Sequence, residues 1–186
     1  MEQRLTTFKR TVAALLTAAV CAGPLAAQEK PLDELYQDLL DADEATHDRV
    51  ANQIVSRWER SGSAAMDLLL RRGQDALDER DAIAAAEHFS ALVDHAPEFA
   101  EGYHGRALAY FQRDLFGPAL ADLQMVLRLN PRHFEALFGL GSILEGLDRP
   151  EQAIEVYRAI QDIYPRDPET AAAIARVMQT LEGRTL

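Results

Sequence analysis

Cysteine is nearly absent from this chain: of 186 residues only Cys21 is one, and it lies in an N-terminal stretch that reads as removable. The remainder therefore excludes disulfides, thiol catalysis and sulfur-based zinc sites. Lysine is almost as scarce, with Lys9 and Lys30 alone. Asp plus Glu number 30 against 19 Lys plus Arg, a formal net charge of −11. That balance argues against nucleic acid or an anionic membrane as the main partner, because both demand clustered cations. Gly-rich phosphate loops and HExxH helices are also missing. The length suits one domain that buries roughly two-thirds of its unfolded surface without a covalent staple.

The first residues look like an address. Arg4, Lys9 and Arg10 precede an uncharged run from Thr11 to Ala22, then Gly23-Pro24 and Leu25-Ala26-Ala27-Gln28. A basic start, a short apolar stretch and small residues before a polar one make a secretory signal, read here as residues 1–27. Twelve helical residues rise about 18 Å, short of a bilayer core of roughly 30 Å, so no stable membrane insertion is expected after cleavage. Leu25 is larger than the usual small residue three places before the cut. Ala18-Ala19-Val20-Cys21 departs from a lipidation box at both ends, so export without a lipid anchor is the expectation.

A period of 34 runs through the rest. It links Pro97, Pro131 and Pro165; Ala85, Ala119 and Ala153; Phe89, Leu123 and Tyr157; Leu92, Val126 and Ile160; and Gly73, Ala107 and Gly141. Five columns on one period mark an internal repeat. Each unit reads as two helices. Tyr103, Ala107, Tyr110 and Phe111 fall at helical spacing in one, and Leu120, Leu123, Val126 and Leu127 in the next, with Asn130-Pro131 ending the pair. Phe116-Gly117-Pro118 reads as the break between them, and Asp81 and Asp148 as helix N-caps. The small columns suit a close crossing of paired helices, where a larger side chain would hold the axes apart.

These units resemble tetratricopeptide repeats. Tyr103, Ala107, Tyr110, Ala119 and Pro131 match the pattern in one unit, and Leu140, Gly141, Ala153, Tyr157 and Pro165 in the next. Arg72 and Arg106 stand where that family usually has Leu. The resemblance implies an all-α, right-handed superhelical stack of antiparallel helix pairs. The units would be 66–99, 100–133 and 134–167, with a capping helix over 168–186. Residues 28–65 read as an N-terminal helical pair, in phase with the repeat at Leu35, Ala51, Val55 and Trp58, though Ser61-Gly62-Ser63 replaces the proline. In the capping helix, Ala171, Ile174, Ala175, Met178 and Leu181 share the face expected to be apolar.

Every candidate for chemistry has a plainer structural reading. The five histidines are His47, His88, His95, His104 and His133; His88 and His95 fall seven apart on one helix with no third ligand near. Ser90 and His88 point apart on the same helix, so they do not pair as nucleophile and base. Asp41-Ala42-Asp43-Glu44 lacks the spacing of a calcium loop. No enzyme, cofactor or metal is expected.

In tetratricopeptide stacks the first helix of each pair lines a concave face. By that resemblance the partner-facing residues here are Leu70, Gln74, Glu101, His104, Leu108, Phe111, Glu135, Phe138, Ser142 and Glu145. Leu70 and Phe138 lean to a groove, whereas Leu108 and Phe111 read equally well as packing between pairs. An apolar strip flanked by carboxylates would suit a peptide with apolar anchors and some Arg or Lys. The family's clamp for a C-terminal carboxylate needs Lys, Arg and Asn that this face lacks. The expectation is a periplasmic, non-catalytic scaffold or adaptor for another protein, such as an envelope enzyme, protease or assembly factor. The alternative is a structural subunit that self-associates through a terminal helix or the Trp58 region.

Overall fold

The computed structural model describes residues 29–184; the expected signal segment and Cys21 lie outside them. The described residues form α1 (Leu32–Asp41), α2 (His47–Trp58), α3 (Ala64–Asp78), α4 (Ala82–His95), α5 (Ala100–Phe111), α6 (Phe116–Leu129), α7 (Phe134–Gly146), α8 (Pro150–Gln161) and α9 (Pro168–Arg184), with no strand among them. Helices α3–α8 make three antiparallel pairs stacked in chain order, and α9 packs on α8. The all-helical repeat stack expected from the sequence is therefore the fold.

Helix pairing rests on rings set against glycines. The Phe89 ring of α4 is fully buried. It lies so close to Gly73 of α3 and Gly105 of α5 that a Cβ added there would sit 2.5 Å and 2.2 Å from ring atoms. Tyr157 of α8 meets Gly141 of α7 in the same way, at 2.4 Å. The aromatic column thus fills the space that the small column leaves, at a separation no larger residue would permit.

The turns inside the pairs also keep the period. Arg80, Asp114 and Asp148, each 34 apart, take positive φ of 61°, 58° and 60°. The break after α5 is therefore centred on Asp114, Leu115 takes the N-cap position, and Phe116-Gly117-Pro118, instead of forming the break, opens α6 with Pro118 in its first turn. Asp81 accepts a hydrogen bond from the Ala84 N–H and caps α4. Asp148 does not cap α8; Arg149 holds that position, because Asp148 is spent on the left-handed turn.

Two elements depart from the simple stack. In α9 the fully buried residues are Thr170, Ala173 and Val177; Ile174 and Leu181 pack partly buried against the same core as expected, while Ala171, Ala175 and Met178 are exposed. That is a rotation of about one residue from the expected face, consistent with Asp167 accepting from the Thr170 N–H and hydroxyl and Arg176 pairing with Glu145. The second departure is larger. The α1–α2 pair does not stack on α3 as α4 stacks on α5. Gly62 turns the chain with φ +77°, and Asp67 accepts from the Ser61 N–H and hydroxyl to pin that turn. The pair folds back across the repeats, where Leu35, Tyr36, Leu39, Val50, Ala51, Ile54 and Trp58 share one core with Phe134, Ile154, Tyr157, Ile160, Tyr164, Ala173 and Val177.

Polar contacts place this docked pair. Arg132 and Arg166 follow the repeat prolines one period apart. Arg132 pairs with Asp33 and lies 3.8 Å from the Tyr36 ring centroid. Arg166 donates to the Ala42 carbonyl at 2.7 Å. At roughly 1.5–3 kcal/mol per large apolar side chain, the hairpin's burial is worth on the order of 10 kcal/mol. The docked pair thus shares a continuous core with the repeats and is part of the fold.

Two outcomes follow for chemical unfolding. Gly105→Ala should cost about 1–3 kcal/mol by overpacking against Phe89, whereas Gly117→Ala, with open space at its Cβ, should be neutral or gain up to about 1 kcal/mol from helix propensity. Trp58→Ala should lower stability by about 3–5 kcal/mol, although Trp58 lies outside the three repeats.

Candidate protein-binding face

The first helices α3, α5 and α7 carry the ten residues read from the sequence, and the structure treats them in two groups. His104, Leu108, Phe111, Glu135, Phe138 and Ser142 line a cavity of about 610 Å³. Leu108 and Phe111 are 39 % and 41 % exposed, so both present apolar surface there. Phe138 is half-buried, its ring 5.4 Å from that of Tyr157. The Ser142 hydroxyl lies 3.3 Å from that of Tyr157.

The other four are taken up internally. Leu70, expected to line a groove, is 4 % exposed and belongs to the α3–α4 core, because neighbouring helices close over it. Gln74 donates to Glu59 at 2.7 Å, tying α3 to the end of α2. Glu145 accepts both 2.8 Å hydrogen bonds of the Arg176 guanidinium and so anchors α9. Glu101 is buried and bonded to histidine.

One wall of the cavity comes from outside the repeats. Asp48, Ala51, Asn52 and Val55 of α2 face α5 and α7, and Tyr164, Asp167 and Glu169 close the far side. Reading along the repeat missed the α2 residues, since their phase matched a stacked unit and nothing local encodes the fold-back. The available signal was the Ser61-Gly62-Ser63 interruption where a repeat proline was due.

Beside the cavity lies a buried network. His133 Nδ1 accepts from the Ala136 N–H and caps α7, so its Nε2 carries the proton and donates to Glu101 Oε1 at 3.0 Å. His104 Nδ1 sits 3.5 Å from Glu101 and 3.9 Å from Glu135. Burial pushes the Glu101 carboxyl up, but its interactions with His104 and His133, hydrogen bonds foremost, prevail and hold it at about 2. Burial pulls His133 down, which keeps it neutral. Burial acts the same way on His104, yet the Glu101 and Glu135 carboxylates raise it. Trp58 covers the network, its ring stacked on His133 at 4.2 Å.

Glu101, His104 and His133 bring ligand atoms within 4.8 Å of one another, close enough to consider a metal ion. A neutral histidine ligand needs a ring nitrogen with a free lone pair. Both nitrogens of His133 are committed, one to the helix cap and one to Glu101, so the cluster reads as a hydrogen-bonded strut. A second strut joins the docked hairpin to the repeats. His47 Nδ1 lies 2.8 Å from the Tyr164 hydroxyl, which donates to Asp48 at 3.1 Å.

This architecture defines a helical-repeat scaffold, and the comparisons give its family. A profile for the tetratricopeptide repeat matches residues 116–168. A TPR repeat-containing protein of Rhizobium etli is 30 % identical over 155 residues, spanning 82 % of this chain and 75 % of that protein. The chain belongs to the tetratricopeptide-repeat family. Among solved structures, the first TPR of Spaghetti (RPAP3) bound to the HSP90 peptide SRMEEVD is 21 % identical at TM-score 0.60, covering 63 % of this chain and 93 % of that one. The crystal structure of MamA protein is 22 % identical at TM-score 0.57, covering 80 % and 81 %. Both likenesses are of fold. Tetratricopeptide folds are typically non-catalytic protein-interaction scaffolds, although an O-GlcNAc transferase of Thermobaculum terrenum also shares the fold. No helix among the described residues is long and apolar enough to cross a membrane.

The network makes stability depend on acidity. Glu101 sits below its ordinary 4.5, at about 2, so its contribution is complete above about pH 4.5 and is lost as pH falls toward 2. The loss should total about 3 kcal/mol, read by urea unfolding with Trp58 fluorescence as the probe. Glu101→Gln should be less stable at pH 6 and show a flatter profile across that window.

Proposed function

We propose that this protein is a non-catalytic scaffold or adaptor of the bacterial periplasm that holds a segment of a partner protein in the cavity between α2, α5, α7 and α9. The observation that carries this reading is the exposure of Leu108 and Phe111 inside a concave cavity. Large apolar side chains left open in a concavity are a common mark of a protein contact. Family membership supports the binding role. The case for export is the ordered basic, apolar and small-residue succession ahead of Gln28. Against catalysis stands the commitment of the buried histidines and carboxylates to structural hydrogen bonds.

Crosslinked capture from the cell envelope tests the reading, with the native chain beside Leu108→Ala/Phe111→Ala. Both side chains are substantially exposed, so the double variant should fold with unchanged Trp58 fluorescence. Recovery of the partner should fall at least tenfold, as for an anchor worth about 2 kcal/mol or more. Equal recovery with both chains, or recovery of the chain's own copies alone, would remove the cavity as the site and favour self-assembly.

A further inference from the structure

The ligand chemistry of the cavity is written in its charges. Its floor is apolar, formed by Val55, Leu108, Phe111 and Phe138, while its charged lining residues are Asp48, Glu135, Asp167 and Glu169, with no Lys or Arg among them. Two of these carboxylates already have donors: Asp48 accepts from Tyr164 and Asp167 caps α9. Glu135 differs. Its side chain is 41 % exposed, and the nearest cation-forming group is His104 at 3.9 Å, which Glu101 approaches more closely, at 3.5 Å.

We infer that the cavity takes a short peptide segment presenting an apolar side chain next to an Arg or Lys, the apolar group resting on Leu108, Phe111 and Phe138 and the cation on Glu135. The inference rests on the concave-face reading above and names the partner's chemistry. Three features converge on it. An apolar floor rimmed by four carboxylates, with His104 the one cation-forming group on the lining, favours a ligand of positive charge over an acidic segment. Burial, together with the charges of Glu101, Glu59 and Glu169, raises the Glu135 carboxyl against the opposing charge of His104, a cost that an incoming cation relieves. Helix α2 forms one wall of the site, and a cavity of about 610 Å³ accommodates a few side chains, not a long extended strand. Arg suits the site best, because its planar guanidinium can meet the carboxylate through two donors.

Selection of a randomised displayed peptide library on the purified full chain tests this directly, followed by titration of the enriched peptides. The enriched sequences should pair an apolar residue with a neighbouring Arg or Lys. Their affinity should fall about fivefold in Glu135→Gln, fall again between low and high salt, and vanish in Leu108→Ala/Phe111→Ala; the same peptides with Glu in place of their Arg or Lys should not bind. Peptides that need Leu108 and Phe111, carry no basic residue and ignore Glu135→Gln would overturn the charge inference while leaving the cavity as the site. Failure to enrich any peptide, or enrichment indifferent to Leu108 and Phe111, would overturn the concave-face reading itself and the inference with it.

Discussion

The close approach of paired helices, with an aromatic ring seated where the facing helix has no side chain, is the constraint on which the rest of this structure depends. Phe89 fits between Gly73 and Gly105, and Tyr157 against Gly141, at distances that leave no room for a Cβ. That geometry sets the spacing within each pair and, through Phe89, between neighbouring pairs. Because the first helices are held so near their partners, their outer faces form a continuous concave surface. The left-handed turns at Arg80, Asp114 and Asp148 repeat with the same period, so each pair reverses direction in the same way and the curvature accumulates regularly.

Onto that surface the chain lays its own first two helices. Apolar burial supplies the energy, and Arg132 and Arg166 supply the alignment, gripping α1 and the α1–α2 turn at points one repeat apart. Helix α2 thereby becomes a cavity wall, and a face that would otherwise be an open trough is reduced to a compartment. Trp58, the sole tryptophan of the chain, closes over the Glu101–His104–His133 network. The same contact that docks the hairpin also keeps that network dry, which strengthens its hydrogen bonds.

Charge divides the face by function. Carboxylates with internal donors are structural: Glu145 holds α9, Glu101 braces α5 against α7, and Asp122 pairs with Arg106 through two 2.8 Å hydrogen bonds. The Arg106 pair explains a departure visible in the sequence, where Arg stands at a place usually apolar in this family. Its guanidinium is raised by Asp122 against the effect of burial and lies over the Tyr103 and Tyr110 rings. The Arg is thus accommodated within the pair by a local acid and two aromatic faces.

Much of this was legible along the chain because it is periodic. The 34-residue step alone locates the helix pairs, the small and aromatic columns and the loop prolines, since each repeat solves the same local packing problem with the same residue types. The resemblance to tetratricopeptide repeats, beyond the step itself, implied the helix faces on which Leu108, Phe111, Glu135 and Phe138 are carried. What the step does not encode is contact between residues about a hundred positions apart. Leu70 and Phe138 occupy equivalent-looking places, yet one is closed into a core and the other borders a cavity. Helix α2 carries a repeat-like phase but packs against α7–α9. By itself the sequence determined the repeat, because short-range spacing specifies each helix pair. Only the tertiary structure decided where the N-terminal pair docks, because its apolar stripe fits any apolar surface and the choice among them depends on the assembled shape of the stack.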